Sequence, residues 1–211
     1  MESKNAIKSQ YNVILESRVI DNSSNIVAVL LPGIGYTLAR PLLDYSSKLC
    51  QELGYDVLGL EYGFQAAGCK FDREKFDIII DETYTLLKMS LDTKYKKIVF
   101  IGKSLGTIVQ ITLMNKLIED GYNFDFTNIY LTPVDITSEL GVKEGALVFT
   151  GTSDPLIKAD SVKKIEDVRD VEVIKIDGAD HSLNIKNDIV KSSEILTYII
   201  SKEKEYLKNK N

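Results

Sequence analysis

Apolar residues in this chain fall into short, nearly unbroken runs separated by longer stretches in which they recur every three or four positions. The runs are residues 26–31 (IVAVLL), 55–60 (YDVLGL), 98–101 (IVFI), 125–131 (DFTNIYL), 146–149 (ALVF) and 171–176 (VEVIKI). Their length, β-branched content and flanking turn residues predict strands buried on both faces. The intervening stretches predict amphipathic helices over residues 40–53, 72–91, 105–121, 157–168 and 187–207. In the first of these, Leu42, Leu43, Leu49 and Leu53 share one face and Gly54 is a natural stop. Residues 11–20 alternate loosely and predict one or two edge strands, with a turn at DNSSN, residues 21–25. A β–α series of this kind implies an α/β fold: a doubly wound, mostly parallel sheet of about six to seven strands with helices on both faces. With no repeat, low-complexity segment or linker, residues 1–211 are expected to form a single domain.

Composition changes this picture little. Hydrophobic residues make up 44% of the chain and charged residues 27%, ordinary values for a soluble globular protein. A net charge of −5 argues against nucleic acid or an anionic membrane as the main partner. The N-terminal residues MESKNAIKSQ lack the apolar core of a signal peptide, and no apolar run approaches the length of a membrane span. A soluble, cytoplasmic protein is expected. Cys50 and Cys69 form no CxxC pair and have no histidine nearby, so neither a metal site nor a disulfide is expected. No phosphate-binding loop or dinucleotide fingerprint is present, so no cofactor is expected. Oligomeric state is not readable from the sequence.

Candidate chemistry gathers in the loops that follow strands, where open parallel sheets place their functional groups. The strand at 98–101 runs into Gly102-Lys103-Ser104-Leu105-Gly106, a G-x-S-x-G at a strand-to-helix junction. That context is the one a nucleophile elbow requires, and it makes Ser104 the candidate nucleophile. The pentapeptide alone is weak evidence, so the rest of the chain must supply a base, an acid and an oxyanion site. His181, in Gly178-Ala179-Asp180-His181-Ser182 after the last strand, is the only histidine and hence the only candidate imidazole base. Asp154, in Gly151-Thr152-Ser153-Asp154-Pro155, is the favoured acid; Asp135, after the preceding strand, is the substitute. An oxyanion site needs two N–H groups aimed at one point. Leu105 would supply one, and Ile34, in the Pro32-Gly33-Ile34-Gly35 loop, the other. Tyr36, Tyr62 and Phe64 are the expected pocket walls, and Lys103 is expected to be a solvated lysine.

Taken together, these residues resemble the α/β-hydrolase superfamily, in the chain order Ser104, Asp154, His181. The resemblance spans nearly the whole chain. It implies a serine nucleophile, a histidine base, a carboxylate after a late strand, and catalysis through an acyl-enzyme. One departure is Pro32-Gly33 where many members carry His-Gly. Another is the short connection between the strands at 125–131 and 146–149, which leaves no room for a lid domain and argues against a long-chain lipase. The expected activity is therefore hydrolysis of small soluble carboxylic esters or thioesters. Two alternatives remain open: a non-catalytic ligand-binding or regulatory protein on the same scaffold, and a hydrolase of peptides or protein-attached acyl groups.

Overall fold

The computed structural model describes residues 4–210. The predicted apolar runs form the centre of an eight-stranded sheet with strand order β1-β2-β4-β3-β5-β6-β7-β8. The strands are β1 (Lys4–Lys8), β2 (Ile14–Ile20), β3 (Ile26–Leu31), β4 (Asp56–Gly59), β5 (Lys97–Lys103), β6 (Asp125–Leu131), β7 (Leu147–Gly151) and β8 (Glu172–Ile176). All pairings from β4 across to β8 are parallel; β1 and β2 are antiparallel additions beyond β4. Strand β1 was not expected, because its sequence KNAIK carries a single large apolar residue. That residue, Ile7, packs against the core from the edge hairpin, and one such contact leaves no periodicity to read.

Successive residues of a strand point to opposite faces, so a sheet covered on both sides needs apolar residues at every position. In β3, Val27, Val29 and Leu31 pack on one side with α3 (Phe76–Ser90) and α4 (Leu105–Glu119). Ala28 and Leu30 pack on the other with α1 (Pro41–Glu52) and α7 (Ile189–Asn209). The same division runs through β5, with Ile98 and Phe100 on one side and Val99 and Ile101 on the other. Helix α6 (Ala159–Glu166) extends the first face over β6 and β7, where Ile165 joins Tyr130 and Val148. Two short helices complete the chain: α2 (Gly63–Ala66) and α5 (Asp135–Leu140). No helix among the described residues is long and apolar enough to cross a membrane.

Strand register brings the functional ends together. In the β3–β5 and β5–β6 ladders, Leu31 pairs with Gly102 and Lys103 with Leu131. The loops leaving β3, β5 and β6 therefore start at one level on the carboxyl edge. At the opposite edge a buried carboxylate serves structure alone: Asp56 accepts from the N–H groups of Asn22 and Ser24 and from the Tyr95 hydroxyl, and pairs with Lys94.

Between α1 and α7, Glu203 is fully buried against Ser46, whose hydroxyl lies 3.1 Å from Oε1, while Oε2 has no partner. Burial raises this carboxyl from its ordinary 4.5 to about 8. Across that window the folded chain keeps a proton that the unfolded chain has released, so stability falls as pH rises. Glu203→Gln should abolish this slope, matching the wild-type melting temperature near pH 4.5 and exceeding it by several degrees at pH 8. Parallel melting curves for the two proteins from pH 4.5 to 8 would contradict the assignment.

Candidate active site

Strand β5 ends at Lys103 and helix α4 begins at Leu105, leaving Ser104 alone to make the turn. Its backbone sits at φ 54° and ψ −113°, a strained region that costs a non-glycine residue about 1–3 kcal/mol. Surrounding bonds hold it there. The Ser104 N–H donates to the Leu131 carbonyl (3.0 Å), and the Ser104 carbonyl accepts from the N–H and hydroxyl of Thr107 (2.9 and 2.6 Å). The flanking glycines are required by backbone proximity. A Cβ on Gly106 would lie 2.2 Å from the Leu31 carbonyl oxygen, and one on Gly102 would lie 2.4 Å from the Gly106 carbonyl oxygen. Main chain cannot swing aside as a side chain can, so G-x-S-x-G is dictated by the close approach of α4 to β3 and β5.

The candidate base and acid, His181 and Asp154, come from neighbouring loops that are packed backbone to backbone. A Cβ on Gly151, at the end of β7, would meet the Ala179 carbonyl oxygen at 2.1 Å, and that same carbonyl accepts from the Ser153 N–H (3.0 Å). This contact sets Asp154 beside His181. His181 Nδ1 lies 2.7 Å from Asp154 Oδ2, and His181 Nε2 lies 2.8 Å from Ser104 Oγ. The Asp154 side chain is wholly buried, and its second oxygen accepts from the Leu156 N–H (2.9 Å). The imidazole keeps 22% of its surface exposed, enough to meet an entering molecule.

The other two aspartates have different tasks. Asp180 accepts from the N–H groups of Ser182 and Asn184 and so shapes the turn that carries His181. Asp135 accepts from the Lys158 N–H (2.9 Å) and the Ser161 hydroxyl (2.6 Å) at the start of α6. Those bonds hold its carboxyl below the usual range, and the carboxyl bonds to α6 in place of the imidazole.

Ile34 and Leu105 flank Ser104 in one depression. Three successive carbonyls of the β3 loop are tied off: Tyr62 donates to Pro32 O (3.0 Å), and Gln65 to Gly33 O (2.6 Å) and Ile34 O (3.1 Å). In a trans peptide the N–H points opposite the preceding carbonyl, so the Ile34 N–H is turned away from Gln65. Among the described residues, neither the Ile34 nor the Leu105 N–H has a protein acceptor.

Three expectations about side chains need correction. Tyr62 and Phe64 are 1% and 2% exposed and stack with each other inside the core, and neither lines the depression that contains Ser104. Their task is to support the β3 loop from beneath. Tyr36 is half-buried, accepts from the Leu42 N–H at the start of α1, and borders a separate depression beside Ser182 and Leu183. Lys103 is not solvated at all: it is 1% exposed, with Nζ donating to Thr132 Oγ1 and to the His181 carbonyl (2.7 Å).

The depression that contains Ser104 has a volume of about 500 Å³ and is lined by Ile34, Phe71, Phe76, Ile108, Val134 and Leu156, with Arg73 and Asp77 also on its wall. The parallel strands β3 to β7 each send residues from the segment beyond their carboxyl ends. Apart from Ile34 these lining residues were missed, although their placement beyond strand ends was a readable signal.

The sequence matches no protein-family model and no curated protein. The structure is similar to that of an esterase from Pyrococcus furiosus (19% identity, TM-score 0.69, covering 99% of this chain and 92% of that one). It is also similar to a lidless serine hydrolase from Xanthomonas campestris (12%, 0.68, 99% and 94%) and a dienelactone hydrolase from Anabaena variabilis (16%, 0.69, 99% and 98%). This chain has the α/β-hydrolase fold. It is a version of the α/β-hydrolase fold without a lid, since only α5 and its flanking turns join β6 to β7.

The elbow geometry makes a contrast testable. Gly106→Ala forces a methyl group against the Leu31 carbonyl and should lower the melting temperature by roughly 10 °C or more, the response to a loss of about 3 kcal/mol or more. Gly35→Ala, with nothing within 4 Å of its added Cβ, should melt within a few degrees of wild type. Equal tolerance of the two substitutions would refute the packing argument.

Proposed function

We propose that this protein is a serine hydrolase that cleaves small carboxylic esters or thioesters carrying an apolar acyl group. The observation that carries this reading is the unbroken hydrogen-bonded chain from Ser104 through His181 to Asp154, with the serine raised on a strained elbow. A serine hydroxyl is a poor nucleophile until a base removes its proton as the bond forms. His181 Nε2 takes that proton while Ser104 Oγ attacks the carbonyl carbon, and Asp154 holds the other ring nitrogen and stabilises the imidazolium. The carbonyl oxygen becomes an anion, for which the N–H groups of Leu105 and Ile34 are the candidate donors. His181 then gives its proton to the departing alcohol or thiol, leaving an acyl group on Ser104. Water, deprotonated by the same imidazole, releases the acid and regenerates the serine.

The apolar depression beside Ser104 supports the acyl preference. Phe71, Phe76 and Ile108 offer a surface that an alkyl chain covers favourably, at about 0.8 kcal/mol per buried methylene. The absence of a lid supports short or medium chains, since nothing roofs a longer one. An esterase and a dienelactone hydrolase among the structural neighbours are consistent with ester cleavage.

Ser104→Ala should abolish both hydrolysis of p-nitrophenyl butyrate and labelling by a fluorophosphonate probe, with an unchanged melting temperature. Wild-type protein that neither hydrolyses nor labels, yet melts higher with a bound ester analogue, would make it a binding protein instead. Asp154→Asn should cut turnover about 10³–10⁴-fold by stabilising the wrong imidazole tautomer. Asp135→Asn should stay within a few-fold of wild type. The reverse ranking would move the acid to the loop after β6.

A further inference from the structure

Lys103 precedes the candidate nucleophile, yet its side chain is buried. A buried ammonium loses its hydration, and among the described residues no carboxylate lies within ion-pair distance of it. A leucine or methionine would fill the same space without that cost, so packing does not account for a lysine here. What the lysine supplies is donors. Its Nζ meets the loops leaving three strands: Thr132 Oγ1 after β6, the His181 carbonyl after β8, and the Tyr36 ring after β3, 5.0 Å from its centroid. Among the described residues Lys103 is the one donor to the His181 carbonyl.

We propose that Lys103 is a positioning residue for the base, its ammonium bracing the main chain of His181 so that the imidazole stays in reach of Ser104. The proposal rests on the hydrolase reading for its catalytic meaning, while the brace itself is a property of the fold. Asp154 fixes the imidazole through Nδ1, but a ring held at one nitrogen can still tilt if its backbone drifts. The bond from Lys103 to the carbonyl removes that freedom from behind.

Burial pushes the Lys103 ammonium down to about 7, against the pull of Asp154 after β7 and Asp180 after β8, while the Tyr36 ring after β3 lies beside it.

Because His181 is the sole histidine, its ring C–H resonances in an NMR spectrum report on that group without ambiguity. At fixed pH, Lys103→Met should shift and broaden those ring signals, because the main chain that carries the ring is no longer held. With p-nitrophenyl butyrate, Lys103→Met should lose about 30–100-fold in kcat while KM stays within about threefold, because the acyl depression is untouched. Wild-type kcat and unaltered ring signals in Lys103→Met would overturn the proposal. If that variant does not fold, the same two results in Lys103→Gln, whose side chain is shorter, would overturn it equally. Failure of fluorophosphonate to label wild-type Ser104 would count against the hydrolase reading alone.

Discussion

The contact on which the rest of the site depends is that of the Gly106 Cα with the last carbonyls of β3. Helix α4 can start one residue after β5 only if its first turn passes within van der Waals distance of the neighbouring strand, and only glycine permits that. Once α4 is seated so close, Ser104 has no choice but the left-handed backbone that lifts its hydroxyl clear of the sheet. The strain at Ser104 is small beside the apolar side chains that α4 buries along Leu105, Ile108, Val109, Leu113 and Leu117, each worth roughly 1.5–3 kcal/mol. The same logic repeats where Gly151 lets the Ala179 carbonyl approach, and that second contact sets Asp154 beside His181. Two glycine-mediated contacts between main chains thus set the side chains of Ser104, His181 and Asp154 in line.

Much of this was legible in the sequence because it is local. Unbroken apolar runs such as IVAVLL can only be strands covered on both faces, and the helices between them force a parallel order. The turn residues around Ser104, Asp154 and His181 lie beyond strand ends by simple counting. Strand β1 escaped because KNAIK carries a single large apolar residue, while helix α5 and the role of Tyr62 escaped because their partners are distant in the chain. Tyr62 reads as a pocket aromatic until its hydroxyl is seen under Pro32, 30 residues earlier. Lys103 reads as solvated for the same reason: its acceptors lie 29 and 78 residues away, and burial of an ammonium cannot be inferred without them.

Buried ionisable groups divide by position relative to the sheet. Asp56, at the amino edge, has donors on both oxygens and holds the turn before β3. Glu203, between α1 and α7, has one bonded oxygen and one orphan, and burial favours its neutral form. Lys103 and Asp154 are at the carboxyl edge, where each is bonded directly to His181, one at the main chain and one at the ring. Polar burial is costly everywhere in a protein. Here two such groups converge on a single histidine, whose ring also touches Ser104.

If Ser104 is the nucleophile, mass spectrometry of the protein quenched while turning over p-nitrophenyl butyrate should find a butyryl increment on the peptide containing Ser104. Steady hydrolysis without any covalent adduct on Ser104, or with an adduct on another residue, would refute an acyl-enzyme at this serine.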